Sequence, residues 1–167
     1  MAEKTDITFE ICDVIVNVRA VAIIINNGCV LFQKKENDLV WALPGGKIAI
    51  MEKGNETIKR ELREEIGEEV EVSELFDVRE NFFTYNNKGF HEYMFLYFAK
   101  LKNDSKLKNN KFFDGVEVNK HLKFVWLNSK ELEEYNVVPV DIIGMLRDII
   151  GEKNGKLGMS RVRRGRI

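Results

Sequence analysis

A long apolar run, Ile15 to Asn26, is built from β-branched and aliphatic residues, with Arg19 and two asparagines as its polar members. That composition predicts a strand. Asn26-Asn27-Gly28 follows as a hairpin turn, and Cys29 to Gln33 returns as the antiparallel partner. Trp41-Ala42-Leu43 is a shorter apolar piece, ended by Pro44-Gly45-Gly46, a turn that leaves backbone atoms open to a ligand. The period then changes. Ile58, Leu62 and Ile66 recur at helical spacing, Asn55 is placed to cap the start and Gly67 to end it, which predicts a helix from Glu56 to Ile66. Val70 to Thr84 and Phe90 to Leu101 read as long strands around an Asn86-Asn87-Lys88-Gly89 turn. Asn103 to Asn110 reads as a polar loop, Leu122 to Leu127 as a short strand and Val140 to Ile150 as a closing helix. Strands interrupted by one central helix and closed by another predict an α+β fold, a mixed sheet flanked by helices in an α/β/α sandwich.

With 167 residues, 44% hydrophobic and 32% charged, the chain is expected to form a single domain over 1–167. No apolar run approaches the roughly 20 residues that cross a bilayer. The first ten residues carry acids where a secretory signal would carry positive charge, so a cytoplasmic protein without a membrane partner is expected. Cys12 and Cys29 each lie in an apolar segment and form no C-x-x-C, the pattern of a buried reduced pair, with a disulfide between them left open. A net charge of −1 argues against a general nucleic-acid binder, which must neutralise many phosphates. The charge is unevenly placed: acids dominate Glu52 to Glu71, while the tail 156–167 holds bases and no acid. Such a tail is a solvated terminus unless a homodimer contact or a substrate mouth orders it.

Within the helix, Glu61, Glu64 and Glu65 stand at i, i+3 and i+4, inside an arc of roughly 100° that adjoins the Ile58–Leu62–Ile66 stripe. Like charges at these spacings cost a few tenths of a kcal/mol per pair, a penalty that a bound divalent cation reverses. Oxygen-only donors suit Mg²⁺ or Mn²⁺ and not zinc. A solvated, salt-bridged helix face would account for the same residues taken alone. The wider spacing decides between the two. Gly46 to Gly67 reads GKIAIMEKGNETIKRELREEIG and fits G-x5-E-x7-R-E-U-x-E-E-x-G, with Leu62 as the bulky aliphatic U. Gly46, Glu52, Arg60, Glu61, Glu64, Glu65 and Gly67 would coincide by chance on the order of once in a million chains of this size, taking about 7% usage per residue.

On these residues the chain resembles the Nudix hydrolase family. Glu68 stands where the family carries one further aliphatic residue, with Val70 the nearest replacement. The resemblance implies the sandwich fold, a Mg²⁺ or Mn²⁺ cofactor, and hydrolysis of a phosphoanhydride bond in a small-molecule nucleotide substrate. It also implies that Glu64 and Glu65 are principal metal ligands, that Glu61 is a ligand or a base for water, and that the Gly45 carbonyl is the backbone ligand. Glu52 and Arg60 would form an ion pair that, with Gly46, supports the site. Arg19 and Lys47 are candidates to touch phosphate, Arg19 being otherwise a strand-end residue and Lys47 a solvent-facing one. Phe82, Phe83 and Tyr85 are candidates to stack on a base, with core packing the other reading for Phe82 and Phe83, and Tyr85 is also a hint of a dinucleoside polyphosphate substrate. Glu92 reads either as a solvated strand end or as an added metal ligand or base. Asp114 and Glu117 lie where some relatives place a catalytic acid. The expected substrate is ADP-ribose-like or a dinucleoside polyphosphate. The alternatives are a triphosphate pyrophosphohydrolase of the 8-oxo-dGTP type, a nucleotide sensor without turnover, and a scaffold that uses the basic tail.

Overall fold

The first apolar run becomes β2 (Val14–Asn26), and its near-continuous hydrophobicity has a structural cause: both of its faces are covered. Ala20, Ala22 and Ile24 point into one apolar cluster, Val21 and Ile23 into another on the opposite side. The computed structural model describes residues 4–154, so the tail 156–167 lies outside the described residues.

β2 is the trunk of an eight-stranded mixed sheet. It pairs antiparallel with β1 (Thr8–Ile11), with β3 (Cys29–Lys35) and with the short β4 (Gly45–Lys47). The helix that follows, α1, spans Gly54–Ile66, and after it come the long strands β5 (Val70–Tyr85) and β6 (Lys88–Leu101). β6 runs parallel to β2, in register from Val14–Gly89 to Ile24–Ala99, and β5 is its antiparallel outer neighbour. On the other side β7 (Phe112–Asp114) and β8 (Leu122–Asn128) complete the path β5-β6-β2-β3-β8-β7. A short α2 (Glu131–Glu134) leads to α3 (Ile142–Asn154).

Helices cover both faces, which makes the expected sandwich. On one side Ile58, Leu62 and Ile66 of α1 pack with Leu31, Phe124 and Trp126. On the other, Leu132 and the Ile142–Leu146–Ile150 stripe of α3 pack with Ile23, Phe32 and Leu127. Among the described residues no helix is long and apolar enough to cross a membrane.

Several local expectations need correction. Asn55 caps nothing: α1 begins at Gly54 after an extended Lys53, with no side-chain cap. Gly54, the first residue of the helix, lies so close beneath Tyr97 that a Cβ would stand 2.5 Å from its hydroxyl. Cys12 is not buried; it occupies the exposed β1–β2 turn at φ +48, while Cys29 is half-buried, and both are free thiols. The apolar letters beside Cys12 belong to an edge strand, where Phe9 and Ile11 remain exposed. Phe82 and Phe83 are exposed on the β5–β6 hairpin rather than in the core, each ring lying against its cross-strand partner, His91 and Phe90. Its turn is also tighter than the four residues expected, with Asn86 and Asn87 alone at positive φ. At the helix exit Val70 enters the core, and Glu68 accepts a hydrogen bond from the Ser105 hydroxyl at 2.8 Å.

Candidate active site

Glu61, at the centre of the acidic arc, is what Gly46 makes room for. A Cβ on Gly46 would fall 2.2 Å from the Glu61 carboxyl carbon, so only a residue without a side chain lets this carboxylate lie against β4. Glu65 is rotated about 40° from Glu61 toward the apolar stripe and Glu64 about 60° away from it. The consequence is visible in burial: Glu61 and Glu65 are buried, while Glu64 is exposed and meets Arg60 at 3.4 Å. The three carboxylates share a helix face, but the fold brings only two of them into the interior.

Arg60 organises the loop before the helix. Its Nε and Nη2 donate to the two oxygens of Glu52, each at 2.9 Å, a bidentate pair. Thr57 Oγ1 adds a third hydrogen bond to Glu52 at 2.9 Å. Arg60 Nη1 also donates to Glu61 at 2.5 Å. The Arg60 guanidinium holds the Glu52 carboxyl well below the usual carboxylate range, and Glu52 in turn raises the guanidinium.

A residue that sequence reasoning missed completes the cluster. Lys120 Nζ lies 3.3 Å from Glu61 Oε2, 3.2 Å from Glu65 Oε1 and 3.0 Å from Glu117 Oε2. Its loop is seated on α1 by the Val116 N–H, which donates to the Glu65 carbonyl at 2.8 Å. Gly115 packs against the same carbonyl, where a Cβ would stand at 2.9 Å. A lone lysine in a polar loop carries no pattern that would have singled it out. Burial raises the Glu65 carboxyl to about 7 against the pull of Lys120, with Glu61 adding to the rise. Burial would lower the Lys120 ammonium, but Glu117, Glu65 and Glu61 together hold it above its usual value.

The other candidates are distributed less centrally. Arg19 Nη2 donates to the Gly45 carbonyl at 3.1 Å, and its Nη1 faces Glu92 at 3.9 Å. Glu92 is therefore no solvated strand end: it is buried in β6, in register with Asn17 of β2. Lys47 reaches Asp6 at 4.0 Å, and its carbonyl accepts from Arg60 at 3.5 Å. Asp114 is exposed and paired with Lys123, whereas Glu117 joins the cluster through Lys120. Tyr85 is not brought to the site. It pairs with Lys88, seven residues along β6 from the Phe95–Ala20–Gly46 register, roughly 23 Å at about 3.3 Å per residue.

As the side chains stand, no group of three or more carboxylate, imidazole or thiolate side chains among the described residues is clustered tightly enough to hold a metal ion. Arg60 Nη1 stands between Glu61 and Glu64, and Lys120 between Glu61 and Glu65. Glu65 Oε2 is nevertheless buried without a hydrogen-bond partner, an acceptor left over in a site made of oxygen donors. That donor set fits a hard divalent cation.

Sandwich and signature together define a Nudix-type hydrolase. The profile of the NUDIX domain family matches residues 16–149, and the chain belongs to that family. Similar solved structures include a NUDIX-family hydrolase from Clostridium perfringens, at 17% identity and a TM-score of 0.59 over 82% of this chain and 97% of that one. A MutT NUDIX hydrolase from Burkholderia pseudomallei is 24% identical, with a TM-score of 0.54 over 69% of this chain and 84% of that one. The E. coli ORF135 protein is 22% identical, with a TM-score of 0.53 over 86% and 95%. At these identities the likeness is one of fold. Comparison with curated proteins finds no match.

Proposed function

We propose that this Nudix hydrolase uses water to cut a phosphoanhydride bond in a nucleoside diphosphate derivative, ADP-ribose-like or a dinucleoside polyphosphate, with Mg²⁺ or Mn²⁺ as its ion. The observation that carries the reading is the pair of buried carboxylates, Glu61 and Glu65, drawn onto one cation beside the Gly45–Gly46 turn. Glu61, Glu64, Glu65 and the Gly45 carbonyl would hold the ion. When bound, it supplies positive charge to the phosphate oxygens and makes a water acidic enough to react near neutral pH.

The rest of the chemistry belongs to the chain. The Glu52–Arg60 pair clamps the loop after β4 to α1, so that the glycine turn and the carboxylates keep their spacing. Glu61 serves as a ligand or takes the proton of the attacking water. The water oxygen bonds to one phosphorus while that phosphorus releases the bridging oxygen, giving a nucleoside monophosphate and a phosphorylated remainder. Arg19 and Lys47, opposite each other in register on β2 and β4, supply positive charge for a phosphate. The distance of Tyr85 takes weight from the dinucleoside polyphosphates and leaves ADP-ribose-like compounds in front.

The test is incubation with ADP-ribose, diadenosine polyphosphates, NADH, nucleotide sugars and nucleoside triphosphates, with Mg²⁺ or Mn²⁺ and with EDTA, and chromatography of the products. Metal-dependent release of nucleoside monophosphate from a diphosphate derivative is the expected result. Consumption of triphosphates alone, with pyrophosphate released, would replace this reading by the oxidised-nucleotide type. Tight ligand binding without metal-stimulated cleavage would make the protein a sensor.

A further inference from the structure

Lys120 occupies an unusual position for a loop lysine. Its ammonium touches Glu61 and Glu65, which are almost sealed from solvent, and Glu117 of its own loop, while its side chain remains 35% exposed. The carboxylates therefore have no free path outward, and the lysine does. Three acids this close would repel one another strongly in so poorly solvated a place, and the ammonium offsets that repulsion. The oxygens it engages, Glu61 Oε2 and Glu65 Oε1, belong to the residues proposed above as ligands of the divalent ion. An ammonium and a divalent cation cannot share the same two oxygens, since their mutual repulsion would act at close to contact distance.

We infer that Lys120 is a built-in competitor of the metal, an internal cation that holds the carboxylates together in the metal-free enzyme and must leave them before a divalent ion binds. The inference rests on the proposed metal site. The geometry favours direct displacement over a general field effect because the loop is seated for it: the Val116 N–H bonds the Glu65 carbonyl, and the Lys120 N–H closes a turn on the Glu117 carbonyl at 3.2 Å. Lys123, three residues on, points its charge at Asp114 and Glu36 and away from the cluster. It carries the same charge in the same strand-loop region without the contact.

The experiment is titration of the full-length protein with Mn²⁺, followed by calorimetry and by the electron paramagnetic resonance of free Mn²⁺. Lys120→Met should bind Mn²⁺ at least about tenfold more tightly than wild type. Lys120→Arg should remain close to wild type, as should Lys123→Met. In parallel, metal-free Lys120→Met should melt lower than wild type and gain more in Tm when Mn²⁺ is added. Lys120→Gln, with a shorter neutral side chain, repeats the comparison should the methionine variant fail to fold. Equal Mn²⁺ affinity in wild type and folded Lys120 variants would overturn the competitor role and leave the metal site standing. Equal tightening in Lys123→Met would overturn it as well, in favour of a field effect. Absence of Mn²⁺ binding in wild type and variants alike would overturn the metal site together with the inference.

Discussion

Two neighbouring glycines make different demands. Gly45 has φ +143, and a Cβ there would stand 2.2 Å from the Ala20 carbonyl oxygen and 2.9 Å from Val21 Cα, rigid backbone in both cases. Gly45→Ala should therefore lower stability by roughly 2 kcal/mol or more, read as a drop in the urea midpoint. The nearest atoms to the Cβ of Gly46→Ala belong to the side chain of Glu61, which can move where backbone cannot. That variant should keep most of its stability and lose activity, because the carboxylate is displaced. A folded, fully active Gly46→Ala would show that the position of Glu61 does not matter. Glu64 offers the complementary case: exposed, and touching only Arg60 among the described residues, it contributes little to the fold. Glu64→Gln should change stability by no more than about 0.5 kcal/mol. Loss of one of the proposed metal ligands should still lower turnover by at least about a hundredfold. Near-normal rates in this variant would remove the Gly46–Gly67 signature from the chemistry.

The join between the loop after β4 and α1 centres on one ion pair, with the Thr57 hydroxyl on Glu52 beside it. Glu52 is almost sealed from solvent and Arg60 partly so, which makes the pair stronger than a surface bridge and its rupture more costly. Arg60→Met leaves the Glu52 carboxylate with Thr57, the Ala49 N–H and the exposed Lys4 as its partners, and should cost roughly 2–4 kcal/mol. Acid provides an independent check. Arg60 depresses the folded-state carboxyl of Glu52 below its usual 4.5, so its stabilisation is complete above that pH and is lost as pH falls through the depressed value. Denaturant unfolding from pH 6 downward should show a steeper acid loss in wild type than in Arg60→Met. Parallel curves would mean that the pair is not what Glu52 contributes.

Glu65 acts in the opposite direction and on the stability of the molecule as a whole. Burial raises its folded-state carboxyl from 4.5 to about 7, so the native protein binds a proton that the unfolded chain has released. Stability from this group is complete below 4.5 and is lost as pH rises through about 7. The metal-free protein in EDTA should accordingly melt lower at pH 8 than at pH 5.5. A divalent ion favours the ionised carboxylate, so Mg²⁺ should raise Tm more at pH 8 than at pH 5.5. A metal-free Tm that is flat across this window, or a Mg²⁺ effect that is larger at pH 5.5, would contradict the burial argument. The same balance explains how the sandwich tolerates acids at its edge: protonation and Lys120 between them neutralise what the metal would otherwise hold.

Local pattern alone carried much of this molecule. The helix from Ile58 to Ile66, both hairpins and the closing helix follow from period and turn chemistry, because each is decided by residues within a few positions of one another, and the order of these elements along the chain suggested the layers. Gly46 to Gly67 likewise carried the family signature, and the Glu52–Arg60 partnership, seen at 2.9 Å, was anticipated only as something the resemblance implies. What escaped depended on distant segments meeting. β1, β4 and β7 are three or four residues long, too short for a period, and exist as strands because β2 and β8 offer them edges. Phe82 and Phe83 carry the letters of a core strand but stay exposed on the β5–β6 hairpin. The acidic arc was legible as an arc, yet which of its members would be buried depended on where the apolar stripe met the sheet. Lys120 lies 55 residues from Glu65 in the chain and 3.2 Å away in space. Only the closing of β7, its loop and β8 over α1 places that charge on the carboxylates, since a long-range ionic contact leaves no local periodicity by which to read it.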